Sequence, residues 1–463
     1  MPGAHIPSNG HVRARQVIDR ILRLSEAEVA STLAATLTQF AQRHPDFEDA
    51  LLRNYAGVAG LMADPEHLTE KQRLLIGAYF THEYSIEAAA LSNPSIVPAP
   101  DQTGLGPGDK RFILSLRAIG EGHLSSIEFR SGIIGADGRI SVEEPSRYTT
   151  IGERREPIYD HSVFRVKLRE LGVLNEMADL VLDPLPPRFT LAQLEAAISD
   201  LHAGGVDRVV AYETTRIIHW VAASNYTIKF AAESLISERV IFPSGPAESQ
   251  GMEDARFVQF SRDDGTFVYY AVYTAFDGFQ ILPQLIETAD FRTFRIATLN
   301  GEAARNKGMA LFPRMIDGRY VALSRQDNES NFVMFSDDVR HWDEPICIQQ
   351  PEQAWELMQL GNCGSPLETD AGWLVITHGV GPLRRYALGA ILLDLEDPRR
   401  VIGHLDEPLL VPNEDERDGY VPNVVYSCGS MIHGHELVIP YGFSDLESGI
   451  AAIPLGDILD RLT

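Results

Sequence analysis

A small unit, a glycine-marked tight turn feeding a strand-like apolar run, recurs four times along the second half of this 463-residue chain. Its instances are Asp264-Gly265 ahead of residues 266–270, Asp317-Gly318 ahead of 319–323, Ala371-Gly372 ahead of 373–376, and His433-Gly434 ahead of 435–439. The four glycines lie 53, 54 and 62 residues apart. Self-similarity at a near-constant interval constrains the fold strongly, because each repeat must bury its apolar face against the next. An interval of this length, holding several short strands, is that of a four-stranded propeller blade. A second mark follows the paired strands, with Asp290, then Asp337-Asp338 ahead of Trp342, then Asp397-Pro398. Asp109 leading into residues 112–116 adds a unit upstream. The predicted fold is therefore mainly β, a five-bladed β-propeller. A two-sheet sandwich would not repeat a turn–strand–Asp unit at this spacing.

Two segments depart from that texture. From Val12 to about Leu91 apolar residues recur at helical spacing, as in Val17, Ile21 and Leu24, then Val29, Leu33, Leu37 and Phe40. Thr69 with Gln72 three residues on has the form of a capping box. Residues 1–90 are thus expected to form an N-terminal helical segment, and 91–463 the propeller. An amphipathic stripe must be buried somewhere, which suggests a homo-oligomer formed through these helices. A helical insertion is expected over about 171–205, where Pro184, Pro186 and Pro187 precede a second capping pair, Thr190 and Gln193.

Composition narrows the partners. With 65 acidic against 40 basic residues and a formal charge of −25, nucleic acid and anionic membrane are poor partners, so any anion site must be a local basic pocket. No apolar run approaches a membrane span, and the first ten residues lack the pattern of a secretory signal. Three widely spaced cysteines, Cys347, Cys363 and Cys428, fit a reducing cytoplasm better than a disulfide framework.

The chemistry concentrates around Gly251-Met-Glu-Asp-Ala-Arg256, where two adjacent carboxylates and a guanidinium stand at the mouth of a strand. Carboxylates are poor strand formers, and Arg256 is close enough to hold one of them ionised while the other titrates. In a propeller the innermost strands converge on the axis, so polar residues embedded in apolar runs should recur blade by blade. Asn93, Arg117, Asp254, Lys307, Arg325, His378 and Asp445 do so. Singly, each has an ordinary explanation: a loop charge for Lys307, pairing with Asp327 for Arg325, a hydrogen-bonded core histidine for His378. Their phase with the repeat favours a shared site.

Taken together, residues 251–256, 306–313, 377–380 with Tyr386, 389–395, 419–429 and 441–445 resemble glycoside hydrolase family 130. That family contains inverting β-mannoside phosphorylases and related β-mannosidases on a five-bladed propeller, and the likeness covers roughly residues 91–455. The resemblance implies that Asp254 is the catalytic acid, acting through a sugar hydroxyl. It implies that Asn93, Arg117, Glu253 and Asp445 shape the mannosyl subsite, and that Lys307, Arg325, His378 and Tyr386 bind the attacking phosphate. It further implies a mannoside or oligosaccharide substrate, with inorganic phosphate as co-substrate and no cofactor.

The chemistry can be argued without the family. Acetal cleavage needs a proton for the leaving oxygen and a nucleophile on the opposite face. Asp254 can supply the proton if its neighbours keep it partly protonated. When phosphate is the nucleophile no second carboxylate is needed, but cationic donors are, and Lys307, Arg325 and His378 are expected to provide them. No metal is required; His433 and His435 flank a turn and lack further ligands.

Two departures from the family pattern stand out. Ala255 replaces a proline, and Leu282 stands where phosphorylases carry an arginine. Phosphorolysis remains the preferred reading. The alternatives are an inverting hydrolase, with Glu287, Glu329 or Glu368 as base, and a carbohydrate-binding propeller without turnover.

Overall fold

The computed structural model describes residues 1–4, 10–44, 46–203 and 208–462. The chain is mainly β with helices and divides into two compact units, Met1–Ile86 with Ser146–Thr150, and Glu87–Pro145 with Ile151–Thr463.

In the first unit the helical periodicity becomes α1 (Gly10–Leu22), α2 (Glu26–Phe40), α3 (Phe47–Ala59) and α4 (Glu70–Tyr79). Side chains on cap residues satisfy the orphan amides that open two of them. Ser25 and Glu28 form a capping box on α2, as Thr69 and Gln72 do on α4. Their apolar faces meet in one cluster, with Ile18 and Ile21 of α1, Val29 and Leu33 of α2, Leu51 and Val58 of α3, and Leu74 to Ile76 of α4. The stripe is thus buried within the unit, so the packing requirement that suggested a second subunit is met internally. The lead is also not wholly helical: Pro2–Ala4 pairs antiparallel with Thr81–Glu83.

The second unit is built from antiparallel meanders. The first runs through Ala90–Pro98, Lys110–Ile119, Ser125–Ile134 and Ile140–Val142. The second runs through Gly251–Ser261, Phe267–Phe276, Ile281–Thr288 and Thr293–Thr298. A parallel bridge between Gly251 and Ser125 joins these two into one twelve-stranded sheet, which the repeat did not foretell. The third comprises Ala310–Leu311, Tyr320–Ser324, Asn331–Ser336 and Pro345–Gln349. The fourth centres on Gly372–Val380 and Tyr386–Leu393, with Gln359–Asn362 and Val401–His404 outside them. In the fifth, Glu436–Phe443 pairs with Val425–Tyr426, Met431–His433 and Glu447–Pro454.

Alternation along each strand sends side chains to opposite faces, so a central meander packs against two neighbours. Trp373 and Val375 join Leu323 and Val333 of the third meander, while Leu374 and Ile376 join Leu437 and Ile439 of the fifth. The first and second meanders share the cluster of Phe129, Phe257 and Phe291, and the second and third that of Val258, Tyr270 and Leu311. A fifth cluster brings Met431 and Val438 of the last meander against Ile96, Phe112 and Leu114 of the first.

Between the first and second meanders lie α5 (His161–Glu170), α6 (Glu176–Leu182), α7 (Leu191–Ala203) and α8 (Arg208–Ala223), with a core of their own around Phe164, Leu182, Leu194 and Ile218. The insertion is therefore longer at both ends than the expected 171–205. The prolines marked only the connection between α6 and α7, and α5 opens on an Asp160 cap rather than a capping box. Among the described residues, no helix is long and apolar enough to cross a membrane.

Candidate functional site

The acidic strand mouth owes its geometry to backbone irregularity. Pairing of Gly251–Ser261 with its neighbour shifts register between Glu253 and Arg256, and Asp254 sits at φ +56°. The same device recurs in the first meander, where register shifts between Ser92 and Ser95 and Asn93 adopts φ +51°. Asp445, in the turn after Glu436–Phe443, has φ +52°. A bulge re-aims the side chain it carries, and among residues with a Cβ, Asn and Asp tolerate this left-handed region best. Such positions cost about 1–3 kcal/mol each and persist where the surroundings over-determine them.

What the three strained residues touch defines the site. Asn93 Nδ2 donates to Asp254 Oδ1 at 2.6 Å. Ser92, its neighbour, donates through Oγ to Asp445 Oδ1 at 3.2 Å. Glu253 accepts from Arg117 Nη2 at 2.8 Å and from Lys307 Nζ at 2.5 Å. Arg256 is buried, with Nη2 donating to the Tyr426 hydroxyl at 2.7 Å. The Tyr426 ring lies 4.9 Å from that of His378, which stacks on Tyr386 at 6.1 Å. Arg325 places Nη1 3.3 Å from His378 Nε2 and donates from Nη2 to the Asn328 carbonyl at 2.8 Å. All nine residues expected from sequence therefore fall in one contiguous set of contacts, drawn from all five meanders.

Two residues beyond those nine join the set: Arg256, expected from sequence only to hold a neighbouring carboxylate ionised, and Tyr426, with no role assigned. Arg256 and Tyr426 link the Asp254 group to the His378 group, and the only signal for Tyr426 was a hydroxyl within the apolar run Val424-Val425-Tyr426. Gly361 is a third: a Cβ there would lie 2.4 Å from Arg325 Cδ and 2.6 Å from His378 Cε1, so only glycine admits both side chains.

The electrostatics correct two expectations. Burial pushes the Asp254 carboxyl up, but Arg256, Arg117 and Lys307, together with the Asn93 hydrogen bond, outweigh it and hold the group below the ordinary aspartate value. Asp254 is thus a carboxylate in this state, not the partly protonated acid expected. His378 is fully buried, and that burial, with Arg325 and Arg256, drives its pKa well below the usual histidine value. Its imidazole is neutral, so it is no charged anion donor but an acceptor for Arg325. Cationic character is left to Arg117, Arg256, Lys307 and Arg325. Buried guanidinium nitrogens with no acceptor, Nε of Arg117, Arg256 and Arg325, remain available in the same region.

Other candidates fall outside the set. Leu282 lies opposite Ala275, in the apolar cluster between the first and second meanders, where it contributes packing and no charge. Glu287 is shared by Arg295 and Arg340 at 3.6 Å each, and Glu368 is bound by Arg314. Neither is poised as a base toward Asp254. Glu329 is exposed on the turn that follows Arg325.

A family model described as beta-1,4-mannooligosaccharide phosphorylase matches residues 211–463. The chain is 36% identical over 223 residues to a 1,2-beta-oligomannan phosphorylase of Thermoanaerobacter sp. (strain X514), covering 46% of this chain and 71% of that protein. It is 34% identical over 221 residues to a beta-1,2-mannobiose phosphorylase of the same organism, covering 45% and 68%. The solved structure of the beta-1,2-mannobiose phosphorylase from Listeria innocua, in complex with beta-1,2-mannobiose, has a TM-score of 0.46 and 19% identity, covering 82% of this chain and 99% of that one. Matched by the family's model over more than half its length, and by the first of these relatives over more than two thirds of that relative's own, the chain belongs to glycoside hydrolase family 130.

Proposed function

We propose that this protein is a glycoside phosphorylase that cleaves, or in reverse forms, β-mannosidic linkages by inverting phosphorolysis. The observation that carries this reading is the gathering of Arg256, Arg117 and Lys307 about Asp254, with Arg325 beside His378 in the same set of contacts, in a chain of net charge −25. A water-using hydrolase has no need of so many cations, whereas phosphate does. Two relatives named as phosphorylases of β-1,2-linked mannosides support it.

In this mechanism Asn93, Glu253, Arg117 and Asp445 hold the mannosyl ring. Lys307 and Arg325 hold phosphate on the face opposite the leaving group, while His378 and Tyr386 support Arg325 and line its surroundings. The bound anion offsets the cations that keep Asp254 ionised, so its pKa rises and it can carry a proton in the ternary complex. Asp254 passes that proton, through a sugar hydroxyl, to the glycosidic oxygen. A phosphate oxygen bonds to C1 as the C1–O bond breaks, giving α-mannose 1-phosphate and the shortened sugar. Phosphate is the co-substrate, and no cofactor takes part in these steps.

The architecture we infer is a five-bladed propeller over residues 91–463 with residues 1–90 as a separate helical domain. Five successive meanders, with a cluster linking the last to the first, support it. A cytoplasmic setting is supported by three unpaired cysteines. Assembly through the N-terminal helices stays part of the proposal; the mass of the chain in solution, with and without residues 1–86, tests it.

The apolar setting of Leu282 favours the second reading, an inverting hydrolase. Digests of β-1,2- and β-1,4-mannobiose with and without phosphate separate the two. Mannose 1-phosphate equimolar with mannose, formed only with phosphate, is expected; two equivalents of mannose formed without phosphate would establish the hydrolase. Asp254→Asn should reduce turnover by roughly 10³-fold while retaining ligand. A variant that keeps full turnover would remove Asp254 from the mechanism, and a wild type that binds without turnover would mark a binding propeller.

A further inference from the structure

We propose that a second anion site, distinct from the Asp254 cluster, lies between the helical insertion and the edge of the second meander, and that it takes a phosphomonoester. A cavity of about 470 Å³ opens there, lined by α5, by the strand Thr293–Thr298, and by Arg188 and Arg340 from neighbouring segments. That volume is in the range of small-ligand pockets and exceeds what phosphate alone would fill.

Its charge is unusual for this chain. Lys167, Arg188, Arg295 and Arg340 line it against a single carboxylate, Asp160. Asp160 is already committed, accepting the amides of Ser162 and Val163 at the start of α5. Beyond the lining, Glu170 pairs with Lys167 at 3.2 Å, and Glu287 reaches Arg295 and Arg340 only at 3.6 Å. Four positive groups thus face three negative ones, on a body whose net charge is −25. Such a local excess, walled by low-dielectric protein, focuses anions that the rest of the surface repels.

Lys167 marks the inner end. It is 5% exposed, and its Nζ donates to the Leu299 carbonyl at 2.8 Å. Burial pulls its pKa down, so an anion at the cavity mouth would stabilise its charge. Guanidinium forks at the rim match a phosphate dianion, while the hydroxyl of Thr227 and the amide of Asn300 suit the sugar of a sugar phosphate.

Inorganic phosphate and a sugar phosphate share this chemistry, and titration calorimetry distinguishes them. The full-length protein and Arg295→Glu/Arg340→Glu would each be titrated with inorganic phosphate, with mannose 1-phosphate, and with mannose as the uncharged control. The double variant should lose one molar equivalent of binding for at least one of the two anions, with phosphorolysis at saturating substrate unchanged. The anion whose equivalent disappears is the occupant. Should the double variant fold poorly, Arg188→Glu at the exposed rim makes the same prediction. Equal stoichiometry and affinity in wild type and variants, for both anions, would overturn the site.

Discussion

Glu128, on the strand Ser125–Ile134, is 1% exposed and lies beside Glu87 and Arg130. Burial and the Glu87 carboxylate push its pKa up to about 8, against the opposing pull of Arg130. Its native pKa is raised, so below about pH 4.5 its protonated form is shared by both states and costs nothing. As pH rises toward 8 the unfolded chain releases this proton first, and stability falls. Glu87 moves the other way: burial pushes it up, but Glu128 and Arg130 hold it low, so its contribution is lost only in more acidic solution. Glu128→Gln should therefore flatten the decline between pH 5 and 8, by on the order of 3 kcal/mol at the alkaline end. Denaturant midpoints across that range check it; parallel profiles for variant and wild type would refute it. At the site itself, Gly361→Ala forces a methyl against Arg325 and His378. It should raise KM for phosphate about tenfold, a loss of ~1.4 kcal/mol, with a smaller change in kcat. A KM unchanged for phosphate but raised for mannoside would place Arg325 in the wrong subsite.

At the scale of elements, α5 acts as a clamp. Glu170 accepts from the Gly301 amide at 2.7 Å while pairing with Lys167, which holds the Leu299 carbonyl. A charged acceptor on a backbone amide is worth about 1.5–3 kcal/mol. Glu170→Ala should then speed amide exchange at residues 299–301 by roughly tenfold or more. Mass-resolved exchange reads this directly, and wild-type protection at Gly301 would show that α5 restrains nothing there. Elements of this kind differ in how far sequence reveals them. Thr69 with Gln72 and Thr190 with Gln193 were legible because a capping box is a local contact between residues three apart. The Asp-marked turns were legible for the same reason: Asp290 Oδ1 accepts the amides of Arg292 and Thr293, and Asp397 that of Arg399. The span of the insertion was not, because α5 and α8 owe their burial to packing on each other and on α6, and no local signal marks such contacts.

For the whole molecule, the repeat was readable because each meander restates one pattern of turns. The parallel bridge between Gly251 and Ser125, which merges two of them, depends on residues 126 positions apart and left no trace in the pattern. The site was legible as far as residue types in phase with the repeat could show it; charge states were not. Asp254 and His378 read as acid and cation in sequence; the approach of Arg256, Arg117 and Lys307 overturns the first, and burial with Arg325 and Arg256 the second. The cluster joining the last meander to the first should matter beyond its own neighbourhood. Val438 is 0% exposed within it, and Val438→Asp buries a carboxylate without a partner. We expect a loss of roughly 3–5 kcal/mol and of activity together, although Val438 is not among the contacts of Asp254. Denaturation monitored alongside turnover tests this, and a stable variant lacking only activity would contradict it.

The three left-handed residues, Asn93, Asp254 and Asp445, come from the first, second and last meanders. Asp445 is translated 191 positions after Asp254, so a nascent chain holds the first two residues long before it can hold the third. A product that stops short of Asp445 can therefore form the Asn93–Asp254 contact but never the Ser92–Asp445 one, and holds the cluster incomplete.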